Sequence, residues 1–472
     1  MAAVVSAGSL TAADLKDNVH DIQDNVVTPI LLRYGRHIFF KFNDGARARA
    51  WLRSMFKRVN ARREEHGTRF TINIGFTYAG LAALGVSQPT LETFPEAFRA
   101  GMRARAHLVG DVGPHSPDQW EGGLGGPDIH AMGWIRTDSD KGRVEATRIM
   151  DAEMAAVGGV EIRFMQDTKA LAHENGIGSE GEHFGFADPI SQPPIEGADT
   201  PAYPGDGVLE RDGTWRALKP GEFLLGYEDE AGPEGASGPE PLELRRNGTY
   251  MVFRKLYQDV AAFRRYLRQA AKSLYGSDDQ HHQDLVAAKM MGRWRSGCPV
   301  DLSPDRDDPA IAADPMRRNN FTYAGDEAGL RCPLGSHLRR SNPRATPLVR
   351  ATAVRRHRLI RRGVEYGPHL PDGAHEDDGV DRGLVNLFIQ ADIERQFEFV
   401  QKEWMQGGEF IGLDAGEQDP FNGTGGEGSQ MVVPGAPRPF LFDLPTFVRV
   451  KGGEYLFVPG LNALAGLIEK RF

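Results

Sequence analysis

Cysteine is nearly absent. The 472 residues hold two, Cys298 and Cys332, far apart and each followed by proline. With no CxxC pair, a disulfide framework is excluded and a cysteine zinc site has no support. Such sparse use fits a reducing cytoplasm. Long apolar runs are missing too: nothing approaches the ~18–20 residues of a membrane span. Met1 to Ala13 is small and apolar but lacks a charged leader and an h-region. The expectation is a soluble cytoplasmic protein with no membrane partner. Positive charge is also short, 56 Lys and Arg against 65 Asp and Glu, for a net charge of −9. That balance argues against nucleic acid as a partner. One basic cluster, Arg355-Arg356-His357-Arg358 with Arg361-Arg362, sits among apolar residues and reads as part of a site. An apolar share of 40% and a charged share of 26% are those of a globular protein, and the length predicts about two to four domains.

Residues 1–20 read as an unstructured lead. His37 to Phe42 predicts a strand, 46–59 a helix and 70–76 a second strand. A short helix over 79–85 ends at glycine. A strand over 129–135, a helix over 143–157 and a strand over 160–166 follow. With the short helix set aside, the order is β-α-β-β-α-β, a ferredoxin-like unit. Strands over 222–227 and 248–256, a helix over 259–275, a strand over 385–391, a helix over 395–405 and a strand over 454–458 repeat that logic. The repetition has no residue-level echo. Segments 228–240, 368–382 and 414–435 are rich in Gly with Glu, Asp, His or Pro, and read as surface loops.

Three segments carry candidate chemistry. In His183-Phe-Gly-Phe-Ala-Asp188-Pro-Ile-Ser-Gln-Pro193 a single carboxylate stands in a Gly- and Pro-punctuated apolar run. That composition makes a loop of fixed shape, neither helix nor central strand. Asp188 there is either a turn residue bonding its own backbone or a carboxylate poised as a proton shuttle. Arg331-Cys-Pro-Leu-Gly-Ser-His337 precedes a basic run, so His337 is either structural or a ligand. Leu359-Ile-Arg361-Arg362-Gly-Val-Glu-Tyr366 is either an exposed basic turn or a further piece of the same site.

Together these segments resemble the dye-decolorising (DyP-type) haem peroxidases, in their longer C/D-type form. Supporting stretches run from Asp21-Ile-Gln-Asp-Asn-Val26 through Phe76-Thr-Tyr-Ala-Gly-Leu81 and Asn247-Gly-Thr-Tyr-Met251 to Gly452-Gly-Glu-Tyr-Leu-Phe-Val-Pro459. The resemblance implies an α+β fold of two ferredoxin-like domains, 21–215 and 216–472. The first contributes the Asp188 loop and the second holds one haem b. It implies His337 as the iron ligand, Asp188 as the acid–base group and Arg361 as the distal arginine. It points to Asp392 or Glu394 as the carboxylate partner of His337, and to Arg344 and Arg339 as anchors for the haem propionates. The implied activity is reduction of hydrogen peroxide, with one-electron oxidation of dyes and phenols through a ferryl intermediate. For bulky reductants, Trp404, Tyr366 and Trp294 are candidate surface oxidation sites. A haem storage, iron-release or sensor protein would need His337 but not Asp188 and Arg361. A homodimer is an expectation that these residues do not decide.

One departure stands out. The family usually has glycine after the catalytic aspartate, and this chain has Pro189. Proline fixes its own φ and restricts the residue before it, so a stiffer loop around Asp188 is expected.

Overall fold

The structure, a computed structural model, describes residues 9–30, 32–59, 70–171, 181–188, 190–233, 235–236, 238–344, 346, 351–414, 416–437 and 439–472. Strands β1 (Tyr34–Phe42), β2 (Phe70–Phe76), β3 (Ala131–Thr137) and β4 (Val160–Lys169), with helices Gly45–Met55 and Asp140–Val157, form the first β-α-β-β-α-β unit. A small hairpin, β5 (Val208–Leu209) and β6 (Trp215–Arg216), follows. The second unit comprises β7 (Thr249–Gln258), β8 (Ile360–Tyr366), β9 (Gly383–Gln390) and, after the hairpin β10 (Gln430–Val432) and β11 (Phe440–Phe442), β12 (Val448–Val458). Its helices are Val260–Tyr275 and Gln280–Met291 after β7, and 394–405 after β9.

The main sheet runs β4-β1-β3-β2-β12-β7-β9-β8. Each unit thus has the same internal order, its fourth strand beside its first, then its third and second. The units meet where Phe76 of β2 pairs with Phe457 of β12, and the sheet curls until the outer strands β4 and β8 lie against each other.

Strand alternation sorts the side chains between two layers. Ile38, Phe40 and Phe42 of β1 face outward and pack with Trp51, Leu52 and Met55 of the first helix. Phe39 faces inward with Trp134, Met251, Phe253, Leu387 and Leu456. Its ring meets Phe253 of the second unit edge-on, with centroids 4.9 Å apart. The interior is therefore shared by both halves. A third apolar cluster, with Phe263, Leu267, Phe421 and Phe447, lies under the helices of the second unit and includes Phe184 and Phe186.

Several elements differ from the sequence reading. Residues 12–18 form a helix with Leu15 buried, so the lead is not unstructured throughout. The expected strand over 222–227 is a single turn at Pro220–Glu222 followed by an irregular apolar segment. Gly226 there has a φ of +87°, which breaks extended pairing. The helix over 394–405 is wound wide, with i→i−5 bonds from Glu398 N to Ile393 O (2.9 Å) and Gln406 N to Gln401 O (3.2 Å). β8 occupies the segment whose plainer reading was a basic turn.

Phe39→Ala should cost about 3–5 kcal/mol of stability, because a shared interior cannot collapse around the lost ring. Denaturant unfolding measures this. A loss below about 1 kcal/mol would show that the two halves do not depend on that contact.

Candidate active site

β8 explains how neighbouring arginines take different jobs. Arg361 and Arg362 project from opposite faces of the strand. Arg362 turns inward, is 7% exposed, and donates to the carbonyls of Asn25 (3.0 Å), Val26 (3.2 Å) and Val27 (3.2 Å). Arg361 faces a cavity of about 260 Å³ whose walls include Asp188, Arg344, His337, Phe184, Phe186, Leu359, Phe388 and Phe421. Arg361 Nη2 lies 3.6 Å from Asp188 Oδ1. The three sequence motifs thus meet in one cavity, and Arg344 joins them. Of the basic cluster, His357 and Arg358 also reach the wall. Arg355 and Arg356 instead pair with Glu230 (3.0 Å) and Asp229 (3.5 Å).

His337 begins a one-turn helix, His337–Ser341. Its Nδ1 lies 2.9 Å from Asp419 Oδ2. Asp419 Oδ1 accepts from the backbone N–H groups of Phe421 (2.9 Å) and Asn422 (2.7 Å). Burial works to raise the Asp419 carboxyl, but His337 and the N–H of Asn422 outweigh it and hold the group below its usual range. A carboxylate at Nδ1 fixes the proton there and leaves Nε2 as a lone-pair donor. The ring packs edge-on against Phe421 at 5.8 Å.

The partner of His337 is therefore not Asp392 or Glu394. Asp392 caps the backbone N–H of Arg395 at 2.9 Å, and Glu394 pairs with Arg105 at 3.0 Å. Asp419 lies in the Gly-rich 414–435 segment, read above as a surface loop, yet it is 3% exposed. Its one visible signal is an Asp-Pro step beside an aromatic, Asp419-Pro420-Phe421, echoing Asp188-Pro189. Arg339 is also displaced from its expected place. It is fully buried, pairs with Asp326 at 3.0 Å and stacks over Tyr323 at 4.5 Å, away from the cavity wall. Trp294, Tyr366 and Trp404 are each 3% exposed, so none offers a surface ring. Pro189 lies outside the described residues, and so does the expectation attached to it.

The cavity carries an excess of positive charge. Arg293, Arg344, Arg358 and Arg361 line it against two carboxylates, Glu182 and Asp188. Burial, with Arg344 close by, pushes Arg358 down to about 10, and burial likewise lowers Arg344. Arg344 spends Nη1 on the carbonyls of Gly205, Asn319 and Phe321, while its Nε is buried without a hydrogen-bond partner. Clustered, desolvated cations of this kind suit an anionic ligand with carboxylates. Apolar walls, an imidazole nitrogen and nearby cations together suit a haem with two propionates.

No protein-family model matches the chain. A dye-decolorizing peroxidase of Exidia glandulosa is 30% identical over 486 residues, covering 98% of this chain and 89% of the relative. The chain belongs to the dye-decolorizing peroxidase family. The msp1 dye-decolorizing peroxidase of Mycetinis scorodonius is 29% identical over 477 residues, covering 96% and 88%. The solved structure of an ancestral D-type dye-decolorizing peroxidase superposes with a TM-score of 0.83 at 30% identity, covering 96% of this chain and 99% of that one. Members of the dye-decolorizing peroxidase family are haem proteins, which agrees with the donors in the cavity.

Behind Asp188, burial pushes Glu365 of β8 up to about 8, with the nearby charges of Asp188 and Glu182 adding to the shift. A carboxyl raised in the fold leaves stability intact below its unfolded value near ~4.3 and erodes it as pH climbs towards the folded value. Glu365→Gln should therefore raise Tm over wild type more at pH 8 than at pH 5. Equal differences at both pH values would mean that Glu365 titrates normally.

Proposed function

We propose that this chain is a haem peroxidase that reduces hydrogen peroxide and oxidises aromatic reductants one electron at a time. One haem b per chain occupies the cavity. The observation that carries this reading is the convergence of His337, Asp188, Arg361 and a partly unpaired Arg344 on one apolar cavity. A solved relative is described in complex with 2,6-dimethoxyphenol, which supports a phenolic reductant here. The domain division at about residue 215 follows the two ferredoxin-like units, and the two buried free thiols suit a cytoplasmic setting. A homodimer is the assembly we infer, and sedimentation tests it.

When bound, ferric haem supplies a redox centre that takes two oxidising equivalents from peroxide and passes them on singly. The chain supplies the proton chemistry. Asp188 Oδ accepts the proton from the inner peroxide oxygen and returns it to the departing oxygen as water. Arg361 stabilises the negative charge that grows on that departing oxygen. Its guanidinium lies beside the Asp188 carboxylate, so the proton carrier and the charge stabiliser reach the same small volume. His337 would hold the iron through Nε2, with Asp419 keeping the Nδ1 proton in place and raising the donor strength of the ring. Arg344 and Arg358 would hold the propionates.

Spectroscopy of the haem-loaded protein mixed with peroxide tests this. Wild type should change its haem spectrum within the mixing experiment and turn over a phenol. Asp188→Asn and Arg361→Leu should retain haem but slow the peroxide step about 10²-fold or more. Haem retention with no peroxide reaction in wild type would favour a storage or sensor role instead.

On the His337 side, His337→Ala should abolish stable haem binding, read as loss of the Soret band. Asp419→Asn should keep haem but weaken retention about 10-fold to 100-fold. Unchanged retention in Asp419→Asn would separate that carboxylate from the ligand.

A further inference from the structure

A second carboxylate lines the cavity, and the peroxide chemistry above does not use it. Glu182 is 6% exposed. Its Oε2 accepts from Phe184 N at 2.9 Å and from Gln258 Nε2 at 2.6 Å, and its Oε1 accepts from Phe186 N at 3.0 Å. Burial works to raise this carboxyl, against the pull of those donors. Its main chain closes the same segment: Glu182 N donates to Phe186 O at 3.0 Å, and Gly185 N donates to Glu182 O at 2.8 Å. Gly185 has a φ of +88°, and a side chain there would meet Arg295. Gly181 bridges Ala187, and Ala187 N donates to Arg295 O at 3.0 Å. The next residue is Asp188. The path of the chain from 181 to 187 is thus wound around one side chain, and Gln258 ties that side chain to the end of β7.

We infer that Glu182 is a positioning residue that aims Asp188, by gathering the loop amides around its carboxylate and fastening the loop to Gln258. The inference rests on the reading of Asp188 as the proton carrier. Every contact made by the Glu182 head group is a donation into it. Glutamine cannot reproduce that set, because its amide N–H2 would face an N–H donor. The loop would then lose at least one tie on the segment that leads into Asp188. A misplacement of about 1 Å at a reacting group costs on the order of 10²-fold in rate.

The test uses the haem-loaded full chain. E182Q should slow the peroxide step about 10-fold or more relative to wild type. The same change made in an Asp188→Asn background should cost less than about twofold, because a residue that acts through Asp188 has nothing left to aim. A merely structural tie would slow both backgrounds equally. Independently of activity, amide hydrogen exchange should quicken about 10-fold at Phe184 and Phe186 and stay unchanged in β7. Gln258→Leu, which removes a single donor, should move the rate and the exchange in the same direction by a smaller factor, and it serves if E182Q does not fold. A peroxide step within twofold of wild type in both variants overturns the inference. So does an additive loss in the Asp188→Asn background. A wild-type protein inert to peroxide overturns the functional reading together with this one. A reactive wild type with indifferent Glu182 and Gln258 variants overturns this one alone.

Discussion

The contact between His337 Nδ1 and Asp419 Oδ2, 2.9 Å across 82 residues of sequence, is the constraint on which the site depends. It demands that a carboxylate be fully desolvated, and such a group is tolerated only where donors surround it. The structure meets that demand with two backbone N–H groups from the turn that follows Asp419. The turn in turn needs an anchor. Gln406 donates to the Asn422 carbonyl at 2.8 Å. Arg340, one helical turn past His337, donates to the carbonyls of Trp404 (2.8 Å), Gly407 (2.6 Å) and Glu417 (2.6 Å). The short helix that carries the imidazole therefore also carries the clamp that holds its partner. Imidazole and carboxylate are thus braced by the same short helix.

That arrangement also accounts for the charge inside the cavity. Four arginines facing two carboxylates would be a poor bargain in a protein with nothing to bind. Burial lowers Arg344 and Arg358 even though the Asp206 carboxylate lies near both and pulls the other way. Arg339 and Arg340 show the contrast. They are equally buried, yet one has Asp326 and the other a ring of carbonyls. Arg344 has a ring of carbonyls like that of Arg340, and what sets it apart is its place on the cavity wall. Chain position alone does not make that separation, because Arg339, Arg340 and Arg344 lie within one six-residue span.

Legibility in the sequence follows the same division. Strands with strong alternation, such as 37–42 and 70–76, and the amphipathic helix after β7 were readable because periodicity reports a single buried face. The Asp188, His337 and Arg361 segments were readable because each sets a charged or ligating residue in an otherwise apolar or punctuated run. Asp419 was hidden by its surroundings. Glycine-rich composition signals a loop, but it does not say whether the loop folds back into the core. Arg339 was misread because adjacent residues in a one-turn helix point in different directions, and only the packing says which meets the cavity. The strand β8 was obscured by its arginines. Two adjacent charges suggest an exposed turn, yet one is satisfied by buried carbonyls and the other lies beside Asp188.

The duplicated fold gives these local solutions a common frame. Both units repeat the same strand order, but the site is not duplicated. The loop before residue 190 lies in the chain between the strands of the two units, while His337, Arg361 and Asp419 come from the second. Asp188 and His337, so far apart along the chain, would drift if the halves moved independently. Contacts between the halves oppose that drift. The inward ring of Phe39 packs on Phe253, β2 pairs with β12, and Glu182 holds Gln258 at the end of β7. His183 of the same loop also meets the sheet, its Nε2 lying 2.8 Å from the Tyr366 carbonyl of β8. A buried carboxylate with no part in the reaction is a costly way to make a joint. Its placement six residues before Asp188 suits a joint that secures the position of that aspartate.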